Sequence, residues 1–256
     1  MRLSVQKGTF YYHKSEPIFT NVSFLLEQGR IMTILGSNGI GKTTLLKCIM
    51  GFNKWISGNC FVDDMELKEI EKVDGIGFVP QAHRSVFSFS VEEMVSLGCA
   101  RRVPLFGVPI KEDKTSVRSA LQTVGIEKLS NRLCSQLSGG QLQLVYIARA
   151  IVSEPQLVIM DEPEAHLDFK NQYMILNLIE KLNIEKKISF LINTHCPDHA
   201  LRISHNALIL GKNEYVTGKA EEIINANNIL SYFEVHTKIF KIPGITRPAD
   251  AFVVVD

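Results

Sequence analysis

Gly36-Ser37-Asn38-Gly39-Ile40-Gly41-Lys42-Thr43 is the stretch that decides the fold, and it has the pattern G-x-x-x-x-G-K-T. The apolar run Ile31 to Leu35 before it predicts a buried strand. Thr44 to Met50 after it predicts a helix, with Leu45, Leu46 and Ile49 on one face and Gly51 as its stop. Strand, glycine loop and helix are the context that a phosphate-binding P-loop needs. The glycines let the backbone curl so that several N–H groups point inward. The helix N-terminus adds a partial positive charge at the same spot. Lys42 can then reach the β- and γ-phosphates of a nucleotide, and the Thr43 hydroxyl can bind Mg²⁺. The plainer alternative, a glycine turn with a solvated lysine, fits the flanks poorly.

A chain of 256 residues can bury a substantial core, as one large domain or two small ones. Lys and Arg number 28 against 27 Asp and Glu, so no strong field favours nucleic acid as a partner. Cys48, Cys60, Cys99, Cys134 and Cys196 are scattered with no C-x-x-C pair, which reads as reduced cytosolic thiols rather than a disulfide frame or a zinc site. No basic-then-apolar signal segment opens the chain. No apolar run approaches the ~20 residues that span a bilayer, so the protein is not expected to cross a membrane by itself.

Leu3 to Tyr12, Asn21 to Leu26 and Ile56 to Asp63 read as strands. Phe10, Tyr11 and Tyr12 cluster where an adenine ring could stack, or belong to plain core. Gly75 to Val79 is a short buried strand ending at Pro80-Gln81, and a polar Gln there suits a ligand site on the C-terminal edge of a sheet. From His83 the pattern turns helical. Ser90-x-x-Glu93 is a capping box opening a helix to about Ala100, and Glu112 to Val124 is a second helix closed by Gly125. Phe87, Phe89, Leu105 and Phe106 lie in or beside irregular segments; they either pack inward or form an apolar docking surface.

Leu137-Ser138-Gly139-Gly140-Gln141 leads into a helical run from Leu142 to Ser153. A small hydroxyl and bare backbone N–H groups at a helix N-terminus make a second anion site. It has no lysine of its own, so it must complete a phosphate pocket whose main part lies elsewhere. Leu157 to Met160 is a continuous apolar run ending in Asp161-Glu162. A carboxylate at the tip of a buried strand is costly unless it meets a cation. Asp161 therefore fits the Mg²⁺ shell beside Thr43, and Glu162 can orient or deprotonate an attacking water. Asn171 to Lys181 reads as a helix, and Ile188 to Ile192 as a strand ending in Asn193-Thr194-His195, whose imidazole could bond the γ-phosphate. Asn206 to Leu210 and Tyr215 to Thr217 read as a hairpin, Ala220 to Phe233 as helical and the tail from Pro243 as extended.

This set resembles the nucleotide-binding subunit of an ATP-binding-cassette (ABC) transporter. The matching motifs are Walker A (Gly36 to Thr43), the Q-loop (Gln81), the signature (Leu137 to Gln141), Walker B (Leu157 to Asp161), the catalytic Glu162, the D-loop (Asp168) and the H-loop (His195). They occur in family order over most of the chain. The resemblance implies an α/β fold: one ABC ATPase domain over residues 1–256, with a RecA-like P-loop core, an antiparallel β-subdomain and a helical subdomain inserted at about 82–154. It implies that Tyr12, with Tyr11 as the fallback, stacks on adenine, and that Gly36 to Thr43 and Thr44 hold ATP. It implies catalytic roles for Glu162, His195, Lys42 and Gln81, and Mg²⁺ ligation by Thr43, Gln81 and Asp161. It also implies a head-to-tail dimer, in which Ser138, Gly139, Gly140, Gln141 and Asp168 of one copy close on ATP held by the other.

Val79-Pro80-Gln81, Phe89-Ser90-Val91, Leu105-Phe106-Gly107 and Gln143 resemble the metal-chelate importer branch, which handles iron–siderophore, haem, cobalamin and, in some members, molybdate. That implies two transmembrane permease subunits, indirectly an extracytoplasmic substrate-binding protein, and a place on the cytoplasmic face of the inner membrane. Leu142 departs from the family's usual Arg or polar residue, and Glu164 from its small hydroxyl residue. An export ATPase shares every motif. A translation-associated protein usually carries two cassettes, and a chromosome or repair ATPase a long coiled coil; neither feature occurs here.

Overall fold

The computed structural model describes residues 1–13, 16–67, 73–81, 88–102, 111–241 and 250–255. Strands β1 (Leu3–Phe10), β2 (Phe19–Leu26) and β3 (Ile31–Leu35) lead to the glycine loop and helix α1 (Lys42–Ile49). Next come β4 (Ser57–Val62), β5 (Met65–Glu66), β6 (Ile76–Val79), α2 (Val91–Ser96), α3 (Lys111–Thr123) and α4 (Gly139–Ile151). The second half holds β7 (Leu157–Asp161), α5 (Phe169–Lys186), β8 (Ser189–Asn193), α6 (Pro197–Ile203), β9 (Asn206–Leu210) and β10 (Tyr215–Lys219). Helices α7 (Ala220–Ile223) and α8 (Ala226–Phe233) and strands β11 (Thr237–Lys241) and β12 (Asp250–Val254) close the chain.

The central sheet has six strands in the order β10-β9-β3-β8-β7-β6. Five of them run parallel, and β10 joins the edge antiparallel to β9. Both faces are covered, which explains the continuous apolar runs. Leu157, Ile159 and Leu191 point into a core shared with α1 and the first strands; Val158, Met160, Phe190 and Ile192 point into another shared with α2 to α5. A separate antiparallel sheet has the order β2-β1-β4-β5. In the parallel sheet β3, β6, β7 and β8 all end on one edge, and the loops leaving that edge carry every strand-tip residue singled out above. Ligand sites of open α/β sheets form at such an edge.

The α/β cassette architecture agrees with the expectation, but several boundaries move. Helix α1 begins at Lys42 because Gly41, with φ of 112°, is its N-cap. Helix α5 is longer at both ends than Asn171 to Lys181: Asp168 caps its start by accepting from the Asn171 N–H at 2.8 Å, and left-handed Lys187 ends it. The helix after Ser90 is α-helical only to Ser96 and continues as a 3-10 segment over Leu97–Arg102. Ala220 to Phe233 is two helices, because Asn225 is extended and its side chain caps the second by accepting from the Asn228 N–H. The tail pairs β11 with β12.

Leu142 is buried among the residues of α2, α3 and α4. An apolar residue at that place of the signature helix is therefore part of the core. Phe89 is half-buried and packs against the same cluster, so the inward-packing reading holds for it. Phe87, Leu105 and Phe106 lie outside the described residues.

Candidate active site

The P-loop wraps the lysine it carries. Lys42 is buried, and its Nζ donates to the carbonyl oxygens of Gly36 at 2.8 Å and Ser37 at 3.1 Å. Burial pushes the Lys42 ammonium below the ordinary lysine value, against the opposing pull of Glu162 and Asp161. Its charge is thus desolvated, held by two carbonyls and close to two carboxylates, ready to be shared with a phosphate. Gly41 is indispensable to this shape: an added Cβ would lie 2.3 Å from Ile18 Cγ2, at a φ that side chains rarely adopt. Gly41→Ala is expected to cost about 2 kcal/mol or more, read as a lower urea midpoint without nucleotide.

Thr43, next in α1, donates from its hydroxyl to Asp161 Oδ1 at 3.3 Å. Asp161 ends β7 and pairs in register with Asn193 at the end of β8. Asn193 is fully buried, and its Nδ2 donates to Asp161 and, at 3.5 Å, to the Thr43 hydroxyl. One residue on, Glu162 turns the chain with φ of 46°. That conformation is uncommon for a residue with a Cβ. It is fixed by the Glu162 N–H donating to Asn193 O at 2.9 Å and by the Ala165 N–H closing on Glu162 O at 3.1 Å. The turn presents the Glu162 carboxylate to two neighbours: Gln81 Nε2 donates to Oε2 at 3.4 Å, and His195 Nδ1 stands 3.8 Å from the same oxygen. Tips of β6, β7 and β8 therefore meet at one carboxylate, with the lysine and threonine of the P-loop alongside.

Tyr12 is 58% exposed. Its ring meets Phe10 edge-on at 4.9 Å and its hydroxyl lies 3.4 Å from Thr44 Oγ1, beside the start of α1. Ser37, Asn38, Gly39 and Ile40 form the exposed to half-buried rim of the loop.

The second anion site lies elsewhere. Ser138 caps α4 in a reciprocal box: its Oγ accepts from the Gln141 N–H at 3.3 Å, and its own N–H donates to Gln141 Oε1 at 3.1 Å. The N–H groups of Gly139 and Gly140 have no intrahelical acceptor at that position. Asp168 is next door, because Asn171, which donates to it from both N and Nδ2, lies against Gly140. Among the described residues no hydrogen bond or ion pair joins Ser138 to Gln141 with the P-loop. The chain presents one surface with a lysine and carboxylates, and another with a capped helix N-terminus and Asp168.

The sequence profile of the family described as "ABC transporter" matches residues 19–165. The chain belongs to the ABC transporter family. It is a nucleotide-binding ATPase subunit of the kind coupled to transport. The molybdate import ATP-binding protein MolC of Haemophilus influenzae is 34% identical over 233 residues, covering 91% of this chain and 88% of that protein. A chain of a metal-chelate type ABC transporter, solved in an inward-facing conformation, superposes with a TM-score of 0.90 at 32% identity, covering 99% of this chain and 97% of that one. A dimeric bacterial ABC transporter cassette superposes at 0.73 with 26% identity, covering 85% of this chain and 98% of that chain. ABC cassettes of this kind form dimers and work with permease subunits. No described helix of this ABC subunit is long and apolar enough to cross a membrane.

Two features of this cassette escape sequence reasoning. In the sequence Asn193 is simply the residue before Thr194 and His195; its position at the end of a buried strand is the available signal. In the sequence Glu164 is no more than a departure from the family's small hydroxyl residue. It is buried, accepts from the Thr194 hydroxyl and has His199 Nδ1 at 3.9 Å. Burial alone would lower the His199 imidazole; the nearby Cys196, Glu164 and Asp198 outweigh this and raise it to about 10.

Proposed function

We propose that this subunit powers an importer for a metal chelate or a related metal-containing anion, by hydrolysing ATP at a site completed by a second copy of itself. The observation that carries the catalytic part is the convergence of Gln81 and His195 on the Glu162 carboxylate, beside Lys42 and Thr43. The importer part rests on the relatives named above, a molybdate import protein and a metal-chelate type transporter.

In this reading Lys42 and the N–H groups of Gly36 to Thr43 and Thr44 bind the phosphates, and the open face of Tyr12 takes the adenine. The donor set suits Mg²⁺: Thr43 Oγ1 and Asp161 Oδ1 are hard oxygens side by side, such as this ion prefers. Asn193 Oδ1 is buried without a protein partner, as an acceptor for an ion's water would be. Gln81 donates to Glu162 from its nitrogen, leaving its amide oxygen for the same shell. Bound there, Mg²⁺ neutralises charge on the β- and γ-phosphates. Glu162 accepts the proton of the attacking water. Gln81 orients that carboxylate, and His195, 41% exposed in its side chain, has room to swing to the γ-phosphate. Ser138 to Gln141 and Asp168 of the partner copy close the pocket from the far side. The described helices α2, α3 and α4 belong to the helical subdomain in this reading, and the subunit works with two permease subunits on the cytoplasmic face of the membrane, fed by an extracytoplasmic binding protein.

Asn193→Ala removes the buried donor to Asp161 and Thr43. It is expected to raise the Mg²⁺ concentration for half-maximal ATPase about 10–100-fold, as losses of ligand-orienting partners do. A Mg²⁺ titration of phosphate release checks this. Transport itself is tested by reconstituting the subunit with its permease and measuring uptake of labelled iron chelate and molybdate. Uptake of neither, with outward movement of the same compounds, would overturn the importer reading.

A further inference from the structure

We propose that Glu164, Cys196 and His199 form a binding site for a divalent first-row transition metal of the Zn²⁺ class, and that its occupancy restrains the loop carrying His195. A carboxylate oxygen, a thiol sulfur and an imidazole nitrogen from these residues all lie within 4.8 Å of one another. They come together at the same sheet edge, Glu164 from the loop after β7, Cys196 from the N-cap of α6 just after β8 and His199 from the first turn of α6. No C-x-x-C pair in the sequence announces a cysteine metal site; here the fold supplies the other donors from a distance.

Two independent features point to a ligand. Glu164 is 1% exposed and His199 5% exposed, yet Glu164 Oε2 and His199 Nδ1 have no hydrogen-bond partner. Buried polar atoms are rarely left so, because the desolvation is uncompensated. The residues do not satisfy each other: His199 Nδ1 is 3.9 Å from Glu164 Oε1, beyond hydrogen-bond reach. The other side of the carboxylate is fixed. Thr194 donates its hydroxyl to Glu164 Oε1 and accepts from the Cys196 N–H at 3.1 Å. It thus orients two of the three donors, as outer-shell groups do around metals.

The donor chemistry selects the ion. Thiolate, imidazole and carboxylate together suit Zn²⁺ and its neighbours and are poor for Mg²⁺. A tetrahedral ion holds its donors roughly 3.3–3.8 Å apart, so side-chain movements of about an ångström would close the site. Three protein ligands leave a fourth position for water, and half-buried Cys196 offers the way in. Binding releases two protons to solvent, the Cys196 thiol proton and the one that the raised His199 imidazole holds at neutral pH, so affinity rises with pH. The other cysteines are fully buried, and burial pushes the Cys48 and Cys60 thiols up to about 12. Cys196 is therefore the thiol available to a metal. A bound ion would tie the Glu162 turn to the His195 loop and slow the movement of His195 that the proposed ATPase cycle uses.

The test uses the full-length protein, freed of metal, titrated with Co²⁺ in the absence of nucleotide. Wild type should show thiolate-to-cobalt charge-transfer absorption, displaced by Zn²⁺. Cys196→Ser should lose the band, and Glu164→Thr should weaken Co²⁺ binding at least 10-fold, each with a cooperative melting curve. No band in wild type, or the same band in Cys196→Ser, overturns the site. This arm uses no ATP, so it stands or falls separately from the transport reading. In a second arm, Zn²⁺ should lower ATP turnover of wild type more than of Cys196→Ser; equal responses overturn the coupling to His195.

Discussion

Glu162→Gln is expected to slow ATP turnover by about 10²–10⁴-fold, the usual cost of losing a positioned general base, while ATP binding survives. The substitution keeps the size of the side chain and its place in the left-handed turn, which the backbone bonds to Asn193 and Ala165 hold. What it removes is the ability to accept a proton. The phosphate contacts reside on Lys42 and the P-loop and remain. The variant should therefore accumulate as an ATP-bound dimer, seen as a shift in size-exclusion chromatography with ATP, alongside near-absent phosphate release. Hydrolysis at the wild-type rate would remove Glu162 from this role.

Lys42→Ala is expected to act one step earlier and weaken ATP affinity by about 10²-fold or more. A charge-assisted hydrogen bond is worth about 1.5–3 kcal/mol, and this ammonium serves two phosphates. The cost is larger than for a surface lysine because Lys42 is already desolvated in the free protein. The site need not strip water from the cation when nucleotide arrives, so its contribution is realised on binding. The free P-loop also loses the two bonds that Nζ makes to Gly36 O and Ser37 O. Titration of a fluorescent ATP analogue separates the two variants: Glu162→Gln should bind like wild type, and Lys42→Ala should not. Equal affinity in both would contradict the reading of the P-loop.

What was legible in the sequence is what is encoded locally. The P-loop, the Ser90 capping box and the Ser138 to Gln141 helix start each depend on residues within a turn or two of one another, so their chemistry can be read in line. The signature helix is an instructive case: absence of a lysine near Ser138 already put the main part of its phosphate pocket elsewhere, and among the described residues no hydrogen bond joins the two surfaces. Less legible were features that depend on where the chain goes next. Asn193 matters because the register of β7 against β8 sets it opposite Asp161, and nothing near Asn193 in sequence announces that pairing. Glu164 looks like a misplaced acid until the turn after β8 and the first turn of α6 bring Thr194 and His199 to it. The division of Ala220 to Phe233 turned on the single cap at Asn225, which periodicity alone does not weigh against the apolar residues around it.

The central claim is that neither copy alone holds a complete ATP site. It is tested most directly by ATP hydrolysis in a mixture of two inactive variants, Lys42→Ala and Ser138→Arg. The first loses the phosphate-binding surface; the second loads ATP but presents a bulky cation where the partner's Ser138 should meet it. A mixed dimer contains one site with an intact P-loop and an intact opposing Ser138 to Gln141. The account predicts that each variant alone is inactive, and that the mixture recovers ATP-dependent dimerisation and partial hydrolysis. A mixture as inactive as its components, with both variants folded, would contradict the head-to-tail site.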